Sequence, residues 1–364
     1  MMVMPDEDVV ALFAGDQLRL ARLARGLTGA ELADRVGVTP AALSQYENGK
    51  SRPTKANVAK LALALGFPSS FFVQASGDSE DPREAFFRSL SRTTVKSRDL
   101  AGTHAIMVGR LASAIERRVE LPPVNIPRYA ITATGADNVE GAAAAATRVR
   151  EEWGLGLEPV SHVVRVMEAN GVVVARLAAS SDTVDAFSMH RRRRPVVVLC
   201  FDKNDAARAR FDAAHELGHL VMHSKDRLGD PSVEREAHAF AAEFLMPADA
   251  IRDQLPSRPD WRRLVELKHE WGVSLQALLY RCRELGTMTN HVYRRAVTEI
   301  NQRNWRTAEP SPLEEVEQAE LLPAAVELLE ANGISIEMLA ADARLPLDIV
   351  RRSATRGRPR MPVI

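Results

Sequence analysis

The chain has 364 residues, of which 46% are hydrophobic and 26% charged, and its 48 basic side chains balance its 48 acidic ones. This composition is typical of a globular protein with room for two or three domains, and the zero net charge excludes nucleic-acid binding through overall charge, leaving only local patches. No signal peptide or apolar segment long enough to span a membrane can be recognised, and the two cysteines lack metal-site or disulfide spacing, so we expect a cytoplasmic protein.

The chain is expected to be mainly α-helical with a small antiparallel β-sheet, an α+β class, because aromatic residues are few and Ala, Leu and Arg are frequent. Its first region, between Gly15 and Phe67, carries the capping signals of four short helices. Thr28 with Glu31 forms a capping box, and Thr39 precedes a proline at the first helical position. The predicted helices are Asp16–Arg25, Thr28 to about Val36, Pro40–Asn48 and Thr54–Leu65.

Short helices around a tight turn are the layout of a helix-turn-helix DNA reader, in which the third helix would lie in the major groove. Local charge agrees, because eight basic residues accompany four acidic ones between Gly15 and Phe67. Gln45 is the best candidate for base readout, since an amide can form two hydrogen bonds to adenine. The alternative is a helical bundle used only for protein contact or dimerisation. The candidate DNA contacts are Thr39, Ala41, Ser44, Gln45, Lys50 and Arg52.

Three segments of this module resemble the XRE (Cro/C1-type) helix-turn-helix family: Leu27–Ala33, Gly37–Thr39 and Leu43–Gly49. The family usually has Gln at the start of the second helix, where it contacts a phosphate, and this chain has Gly29 there. The resemblance implies binding to operator DNA. Because one recognition helix contacts few base pairs, we also expect a homodimer.

The middle of the chain changes from helical to β patterning. Residues 75–82 have the composition of a linker, and helices are predicted from Phe86 to about Leu121, at Ala142–Glu152 and at Val160–Ala169. Four consecutive arginines, at 191–194, fit a solvated hairpin turn better than a contact to DNA or to an acidic substrate. Three β-rich runs predict the small sheet, whose edge could hold an extended substrate. These runs are Val172–Leu177, Val184–Met189 and Pro195–Phe201.

An H-E-x-x-H motif lies inside the next helical run, Arg210–His219. On a helix, His215 and His219 are one turn apart on the same face, so both imidazoles can bind one metal ion while Glu216 lies beside them. Small and apolar residues on the opposite side, including Gly218, predict a helix that is buried on both faces. The alternative is a pair of histidines that binds no metal.

A hydrolytic zinc site usually has three protein ligands, so one more is needed. The following helix offers Glu234, which shares a small-residue face with Ala237 and Ala241. Glu236 and Glu243 lie on a different stripe of that helix, and we expect both to be solvated. The face argument therefore favours Glu234 as the third ligand.

These residues predict peptide hydrolysis without a covalent intermediate. One Zn²⁺ per chain would activate a water molecule, and Glu216 would take its proton and return it to the leaving amine. The zinc ligands would be His215, His219 and Glu234. The weak candidates for an oxyanion contact are His223 and His238, and His238 has a plain surface role as an equally good alternative.

The region from about Arg148 to Gly286 resembles the ImmA/IrrE family of zinc metallopeptidases, bacterial and phage proteins whose best-understood members cleave XRE-type repressors. The resemblance implies the same ligands and the same catalytic base as the helical-face argument. The family also contains members that bind DNA or sense a signal without demonstrated proteolysis. Its most specific matches are Arg208-x-Arg210-Phe211, the H-E-x-x-H run, Glu234-x-Glu236-Ala237 and Phe244–Pro247.

The last hundred residues are again helical. The segment Trp261–Leu285 predicts two helices around Gly272-Val273-Ser274. The segment Leu321–Ser353 likewise predicts helices separated by a turn at Gly333. Either pair could be another helix-turn-helix-like unit, but the pattern favours ordinary packing against the peptidase. The tail from Arg356 onward is basic and contains proline.

Together these patterns predict a DNA-binding transcriptional regulator with a zinc-dependent metallopeptidase domain that cleaves a protein, such as an XRE-type repressor. A regulator whose zinc domain only senses or dimerises is the main alternative, and autocleavage near residues 77–82 is a weaker one. We expect no membrane association. The predicted regions are a helix-turn-helix domain at 14–73, a linker and helical connector at 74–140, a zincin-like peptidase domain at 141–260 and a C-terminal helical region at 261–364.

Overall fold

The computed structural model describes residues 6–73, 82, 85–87, 94–129, 138–176, 186–191, 193–199, 205–227, 230–314, 316–354 and 356. Within these residues the chain forms seventeen α-helices and one small sheet, which confirms the mainly helical fold class. No helix among them is long and apolar enough to cross a membrane. The predicted linker at 75–82, and with it the segment considered for autocleavage, lies outside the described residues except for Pro82.

The helices follow one another in the following order. The first six are α1 Asp6–Ala11, α2 Gly15–Ala24, α3 Gly29–Val36, α4 Pro40–Glu47, α5 Lys55–Leu65 and α6 Val95–Glu116. The next five are α7 Val139–Glu152, α8 Val163–Ala169, α9 Ala206–Met222, α10 Pro231–Leu245 and α11 Ala248–Ile251. The last six are α12 Trp261–Trp271, α13 Leu275–Glu284, α14 Asn290–Gln302, α15 Leu321–Ala331, α16 Ile336–Ala343 and α17 Leu347–Ala354.

The N-terminal module forms the four predicted helices, α2 to α5, for the predicted reasons. The Thr28 side chain accepts a hydrogen bond from the Glu31 backbone and the Glu31 carboxylate accepts one from the Thr28 backbone, so the capping box is present. Thr39 caps α4 in the same way by accepting from the backbone of Ala42. Gly37 ends α3 at φ 70°, a left-handed conformation that glycine adopts without strain.

The sheet contains strands β1 Ala85–Phe87, β2 Val173–Arg176, β3 Ala186–Met189 and β4 Val196–Leu199, in the spatial order β1-β3-β4-β2. The last three lie within the predicted β-rich runs. β3 is antiparallel to both β1 and β4, whereas β2 is parallel to β4. This pair departs from the antiparallel expectation, because the strand direction reverses between β2 and β3 and again between β3 and β4, so β4 lies beside β2 in the same direction. The predicted helical start at Phe86 was also wrong, since it lies in β1.

Two hydrophobic cores divide the molecule. One contains the N-terminal module, α6, one face of the sheet and α15–α17. The other contains α7–α10, the opposite face of the sheet and α12–α14. The two helix pairs of the C-terminal region therefore belong to different cores. The first pair packs against the peptidase region as expected, whereas α15–α17 pack mainly against α6 beside the N-terminal module, and α15 also contacts β2.

Candidate metal centre

Helix α9 carries the H-E-x-x-H motif through the interior of the second core. It begins at the N-cap Asp205, whose side chain accepts a hydrogen bond from the backbone of Arg208, and nearly all of its residues are buried. It packs against β3 on one side and α10 on another. A Cβ atom on Gly218 would lie 3.1 Å from Phe240, so glycine at this position permits the close approach of α9 and α10. The prediction of a helix buried on both faces is confirmed.

The three predicted ligands meet at one point between α9 and α10. The Nε2 atoms of His215 and His219 are 3.1 Å apart. Glu234 Oε2 lies 3.4 Å from Nε2 of His215, and Glu234 Oε1 lies 3.5 Å from Nε2 of His219. A tetrahedral zinc ion with bonds of about 2.0–2.1 Å holds neighbouring donors roughly 3.3 Å apart, so these separations and this donor chemistry fit zinc.

Glu234 is also in the protonation state that a ligand needs. Burial raises the pKa of its carboxyl group, but hydrogen bonds to His215 and His219 outweigh burial and lower it to about 2. The Glu234 side chain is 34% exposed, whereas the side chains of His215 and His219 are 2% and 0% exposed. The carboxylate is therefore the ligand candidate that faces solvent.

Glu216 is completely buried beside this cluster. The hydroxyl group of Ser188 on β3 donates a hydrogen bond of 2.7 Å to Glu216 Oε2. Nitrogen and oxygen atoms of His215, Glu216 and His219 all lie within 4.8 Å of one another, so these three could also hold an ion. The Glu234 carboxylate reaches Nε2 of both histidines, whereas the Glu216 carboxylate is bonded to Ser188.

Ser188 was missed by the sequence analysis. The only signal for it is a single polar residue within the otherwise apolar strand Ala186–Met189. Its side chain is completely buried, and a buried hydroxyl group needs a hydrogen-bond partner. That argument could have marked Ser188 as a polar group in the core, but only the packing of β3 on α9 identifies Glu216 as its partner.

A chain of hydrogen bonds holds the Nδ1 side of the His219 ring, opposite the Nε2 atom that faces His215 and Glu234. The Nδ1 atom of His219 lies 2.9 Å from Nδ1 of His223, and Nε2 of His223 lies 2.9 Å from Oε2 of Glu236. Arg227 donates to the same Glu236 oxygen at 2.8 Å. Glu236 as a carboxylate can only accept, so His223 must donate from Nε2 and accept at Nδ1. His219 must then donate from Nδ1, which leaves its Nε2 lone pair for a metal ion.

The protonation of His223 agrees with this direction of bonds. Burial is the main cause that lowers its pKa, the neighbouring His219 adds to the effect, and the hydrogen bond to Glu236 opposes it only partly, so the pKa falls to about 4. His223 is therefore neutral near pH 7, as the chain of hydrogen bonds requires. A neutral ring with a proton on Nε2 is the form that can accept from His219.

The expectation that Glu236 and Glu243 are solvated was wrong. Glu236 is completely buried in the chain of hydrogen bonds just described, and Glu243 is 8% exposed and forms an ion pair with the buried Arg281. The physical reason is that α10 packs against α7 as well as α9, so the stripe that would face water on a surface helix is covered here. Both carboxylates are paired, as buried charges must be.

The two weak oxyanion candidates have different surroundings. His223 is 2% exposed and lies behind His219, so it is not accessible to a substrate. The His238 ring is half-buried between Phe211, at 4.8 Å, and Tyr280, at 5.1 Å. These three residues line part of a cavity of about 570 Å³. Phe211 precedes His215 by one helical turn and His238 follows Glu234 by one, but the predicted ligands and Glu216 do not themselves line this cavity.

The family motif residue Arg210 has a structural position. It is 7% exposed, donates hydrogen bonds to the backbone oxygens of Gly272 and Ser161 at 3.0 and 2.8 Å, and forms an ion pair with the buried Glu317. These bonds tie α9 to the turn before α13 and to the segment that follows α14. Arg210 thus fixes the position of the metal-centre helix rather than contacting the metal-centre residues.

The predicted DNA-contact residues lie on an open surface of the N-terminal module. Helix α4 is anchored by Leu43, which is 1% exposed. No other part of the described chain covers the outer face of this helix. The exposed residues include all six candidates, namely Thr39, Ala41, Ser44, Gln45, Lys50 and Arg52.

Comparisons with known proteins agree with these two sites. Residues 18–72 match the helix-turn-helix family profile, and residues 167–283 match the profile of the IrrE N-terminal-like domain of the M78 peptidases. The HTH-type transcriptional repressor RghR of Bacillus subtilis (strain 168) is 42% identical over 72 residues, which cover 20% of this chain and 53% of the relative. The chain thus spans about half the length of that curated relative. It carries a helix-turn-helix domain and an IrrE N-terminal-like domain, and both resemblances are confirmed.

Proposed function

We propose that this chain is a DNA-binding transcriptional regulator whose peptidase domain hydrolyses a peptide bond in a protein substrate at one zinc ion. The observation that carries the proposal is the convergence of His215, His219 and Glu234 beside the buried Glu216. A purely structural metal site is closed by four protein ligands and has no use for a general base. Three ligands with an adjacent carboxylate are the arrangement of a hydrolytic site.

The protein residues have separate roles in this reaction. When bound, zinc would polarise the scissile carbonyl group and make water more acidic. Glu216 takes a proton from the attacking water and delivers it to the leaving nitrogen, and the hydrogen bond from Ser188 fixes the rotation of its carboxylate. His223 and Glu236 keep His219 in the tautomer that offers Nε2. The cavity beside Phe211 and His238 is where side chains of the substrate near the cleaved bond are accommodated.

The N-terminal module supports the choice of an operator-bound protein as the substrate. Its exposed α4 face suits the major groove, and RghR, which matches over 72 residues, is itself named a transcriptional repressor. A protease tethered to a DNA reader meets a repressor on the same operator at a high effective concentration. We therefore propose an XRE-type repressor as the substrate class and a homodimer as the DNA-bound form.

Cleavage should be tested on a broad set of substrates, because the repressor is not identified. Zinc-loaded protein would be incubated with a proteome-derived peptide library and with purified XRE-type repressors, and new N-termini would be mapped by mass spectrometry. The matched variants are Glu216→Gln, which removes the base, and Glu140→Gln, which makes the same change on the exposed side of α7. Cleavage by wild type and Glu140→Gln but not by Glu216→Gln is the expected result. The same fragments from Glu216→Gln would overturn the assignment, and no fragments from any protein would favour a regulator without proteolysis.

A further inference from the structure

The helix pair near the C-terminus is a second copy of the helix-turn-helix in the N-terminal module. Helices α3 and α4 span 29–36 and 40–47, and helices α16 and α17 span 336–343 and 347–354. All four boundaries are thus shifted by the same 307 residues. Helix lengths and the length of the turn between them are therefore identical in the two pairs.

The local chemistry of the two pairs also agrees at the first cap, the turn and the core positions, although Pro346 stands where Thr39 caps α4. Thr28 caps α3 by accepting from the third residue of the helix, and Ser335 caps α16 in the same way. The turn residue is left-handed in both, with φ 70° and ψ 40° at Gly37 and φ 54° and ψ 36° at Arg344. The buried positions correspond as well. The pairs are Leu32 with Leu339, Ala33 with Ala340, Val36 with Ala343 and Leu43 with Val350.

The exposed positions of the second copy carry positive charge. Arg351 and Arg352 occupy the positions that Ser44 and Gln45 occupy on α4, and both arginines are exposed. Their ionic partners, Glu337 at 3.0 Å and Asp348 at 2.6 Å, lie on the surface of the same helix pair. Exposed pairs of this kind contribute little stability, so a phosphate can replace the carboxylate partners at small cost.

Charge continues beyond the helix pair in the sequence. Arg356 follows α17, and the chain then contains Arg358 and Arg360, separated by a glycine and a proline. Short arginine-rich arms next to a helix-turn-helix are used to contact the DNA backbone and the minor groove. This composition complements the phosphate backbone of duplex DNA.

A third helix pair in the chain has a similar turn but is used for packing. Helices α12 and α13 also meet at a left-handed glycine, Gly272, followed by the capping residue Ser274. There, however, the carboxylate of Glu309 binds the first backbone N–H of α13 at 3.0 Å and the buried Lys268 at 2.9 Å. The first backbone N–H of that helix is thus bonded inside the protein, whereas Asp348 in the first turn of α17 stays half exposed although Arg25 binds it. The second copy, α16–α17, keeps its arginines exposed.

From these observations we infer that α16–α17 is a second DNA-contacting unit, which binds the same duplex as α4 through Arg351 and Arg352. The two units belong to one body, because Arg25 of the N-terminal module forms hydrogen bonds of 2.8 and 3.2 Å with Asp348 of α17 and both units share a core. A single chain would then contact DNA at two places and cover a longer site than one helix-turn-helix. The inference rests on the proposed DNA-binding function.

The test compares DNA binding by the wild type and four double variants of the 364-residue chain. The probe is a duplex that the wild type itself selects from a random library. The Arg351→Ala/Arg352→Ala variant removes two charges of the second unit, and Arg165→Ala/Arg262→Ala removes two exposed charges on α8 and α12 as the matched control. The variant Lys50→Ala/Arg52→Ala weakens the first unit. Binding is measured from about 50 to 200 mM salt, together with a hydroxyl-radical footprint.

The inference predicts a shorter footprint for Arg351→Ala/Arg352→Ala and binding that is roughly tenfold weaker at low salt. The slope of log affinity against log salt should fall by about 2, since each phosphate contact contributes about 0.9. Replacing both arginines by lysine should preserve most of the slope, which separates lost charge from a folding defect. An unchanged slope and footprint in Arg351→Ala/Arg352→Ala would overturn the DNA contact proposed for α16–α17. If Lys50→Ala/Arg52→Ala loses binding in the same experiment, the DNA contact of α4 still holds. A wild type that selects no duplex would overturn both.

Discussion

The Nδ1 atoms of His219 and His223 lie 2.9 Å apart, so a hydrogen bond joins the imidazole ring of His219 on α9 to that of His223, the residue that follows the helix. Only one of the two atoms can carry the proton. Because Glu236 accepts from the far side of His223, the shared proton belongs to His219. The tautomer of His219, and with it the nitrogen that could bind a metal ion, is therefore determined by His223 and Glu236.

Removing this support should weaken zinc binding. Replacing His223 by Phe keeps a ring of similar size but removes both nitrogens, so His219 loses its acceptor and its tautomer is no longer fixed. We expect zinc affinity to fall by roughly 10- to 100-fold, measured by competition with a chromophoric chelator. The control is His291→Phe on the exposed side of α14. Equal affinity of His223→Phe and wild type would show that the hydrogen-bond chain has no such role.

The hydrogen bond from Ser188 to Glu216 should matter for turnover and not for the metal. Replacing Ser188 by Ala leaves the buried Glu216 carboxylate without the hydroxyl donor that fixes its orientation. We expect zinc content to stay at the wild-type level and kcat on a cleaved substrate to fall by about tenfold, as for loss of a hydrogen bond to a charged group. If Ser188→Ala also loses zinc, Ser188 is needed to fold the site, and the effect on turnover is not specific to Glu216.

Glu168 gives a prediction for the pH dependence of stability. Burial raises the pKa of its carboxyl group to about 7, although the backbone N–H groups of Leu321 and Glu320 at the start of α15 donate to it. Between about pH 4.5 and 7, the folded state holds a proton that the unfolded chain has lost, so the contribution of Glu168 to stability falls as pH rises. Glu168→Gln removes this dependence.

The corresponding measurement is urea unfolding of wild type and Glu168→Gln at a series of pH values. The difference in free energy of unfolding between the two proteins should shift in favour of the variant by on the order of 3 kcal/mol between about pH 4.5 and 8. Other titrating groups cancel in this difference. A difference that stays constant with pH would mean that the Glu168 carboxyl keeps an ordinary pKa in the folded protein.

The close contact between Gly218 and Phe240 should limit the size of the side chain that α9 tolerates at position 218. A Cβ atom at Gly218 already requires Phe240 to move by a few tenths of an ångström, and the two further methyl groups of valine require more. We expect Gly218→Val to destabilise the protein by about 1–3 kcal/mol, measured by thermal unfolding, because α9 and α10 must separate. Zinc affinity should fall with it, since Glu234 is carried on α10. Wild-type stability in this variant would mean that the helices are less closely packed than their 3.1 Å approach indicates.

Local signals made much of the fold predictable. The Thr28–Glu31 capping box and the cap at Thr39 act between residues three positions apart, so the sequence alone locates the starts of α3 and α4. The pairing of His215 with His219 is likewise a consequence of helical spacing. Glu234 could be preferred over Glu236 because the small residues near it mark the face that packs on α9.

Errors arose where a third element determines the environment. Glu236 was expected in water because α10 was considered with one neighbour, whereas α7 covers its other side. Arg194, expected in a solvated turn, is 7% exposed and binds Glu116 and the backbone oxygen of Pro122. The parallel pairing of β2 with β4 depends on strand order, which no local pattern reports. The role of Ser188 depends on the packing of β3 against α9, which brings its hydroxyl group to Glu216.

Zinc content of the purified protein tests the central claim most directly. Wild type, Glu216→Gln and Glu234→Ala would be loaded with zinc, freed of excess metal by gel filtration and analysed by elemental mass spectrometry. The assignment of His215, His219 and Glu234 as ligands predicts about one zinc per chain in wild type and in Glu216→Gln, and clearly less in Glu234→Ala. Wild type that stays free of metal when offered zinc, or Glu234→Ala that retains a full equivalent, would contradict it.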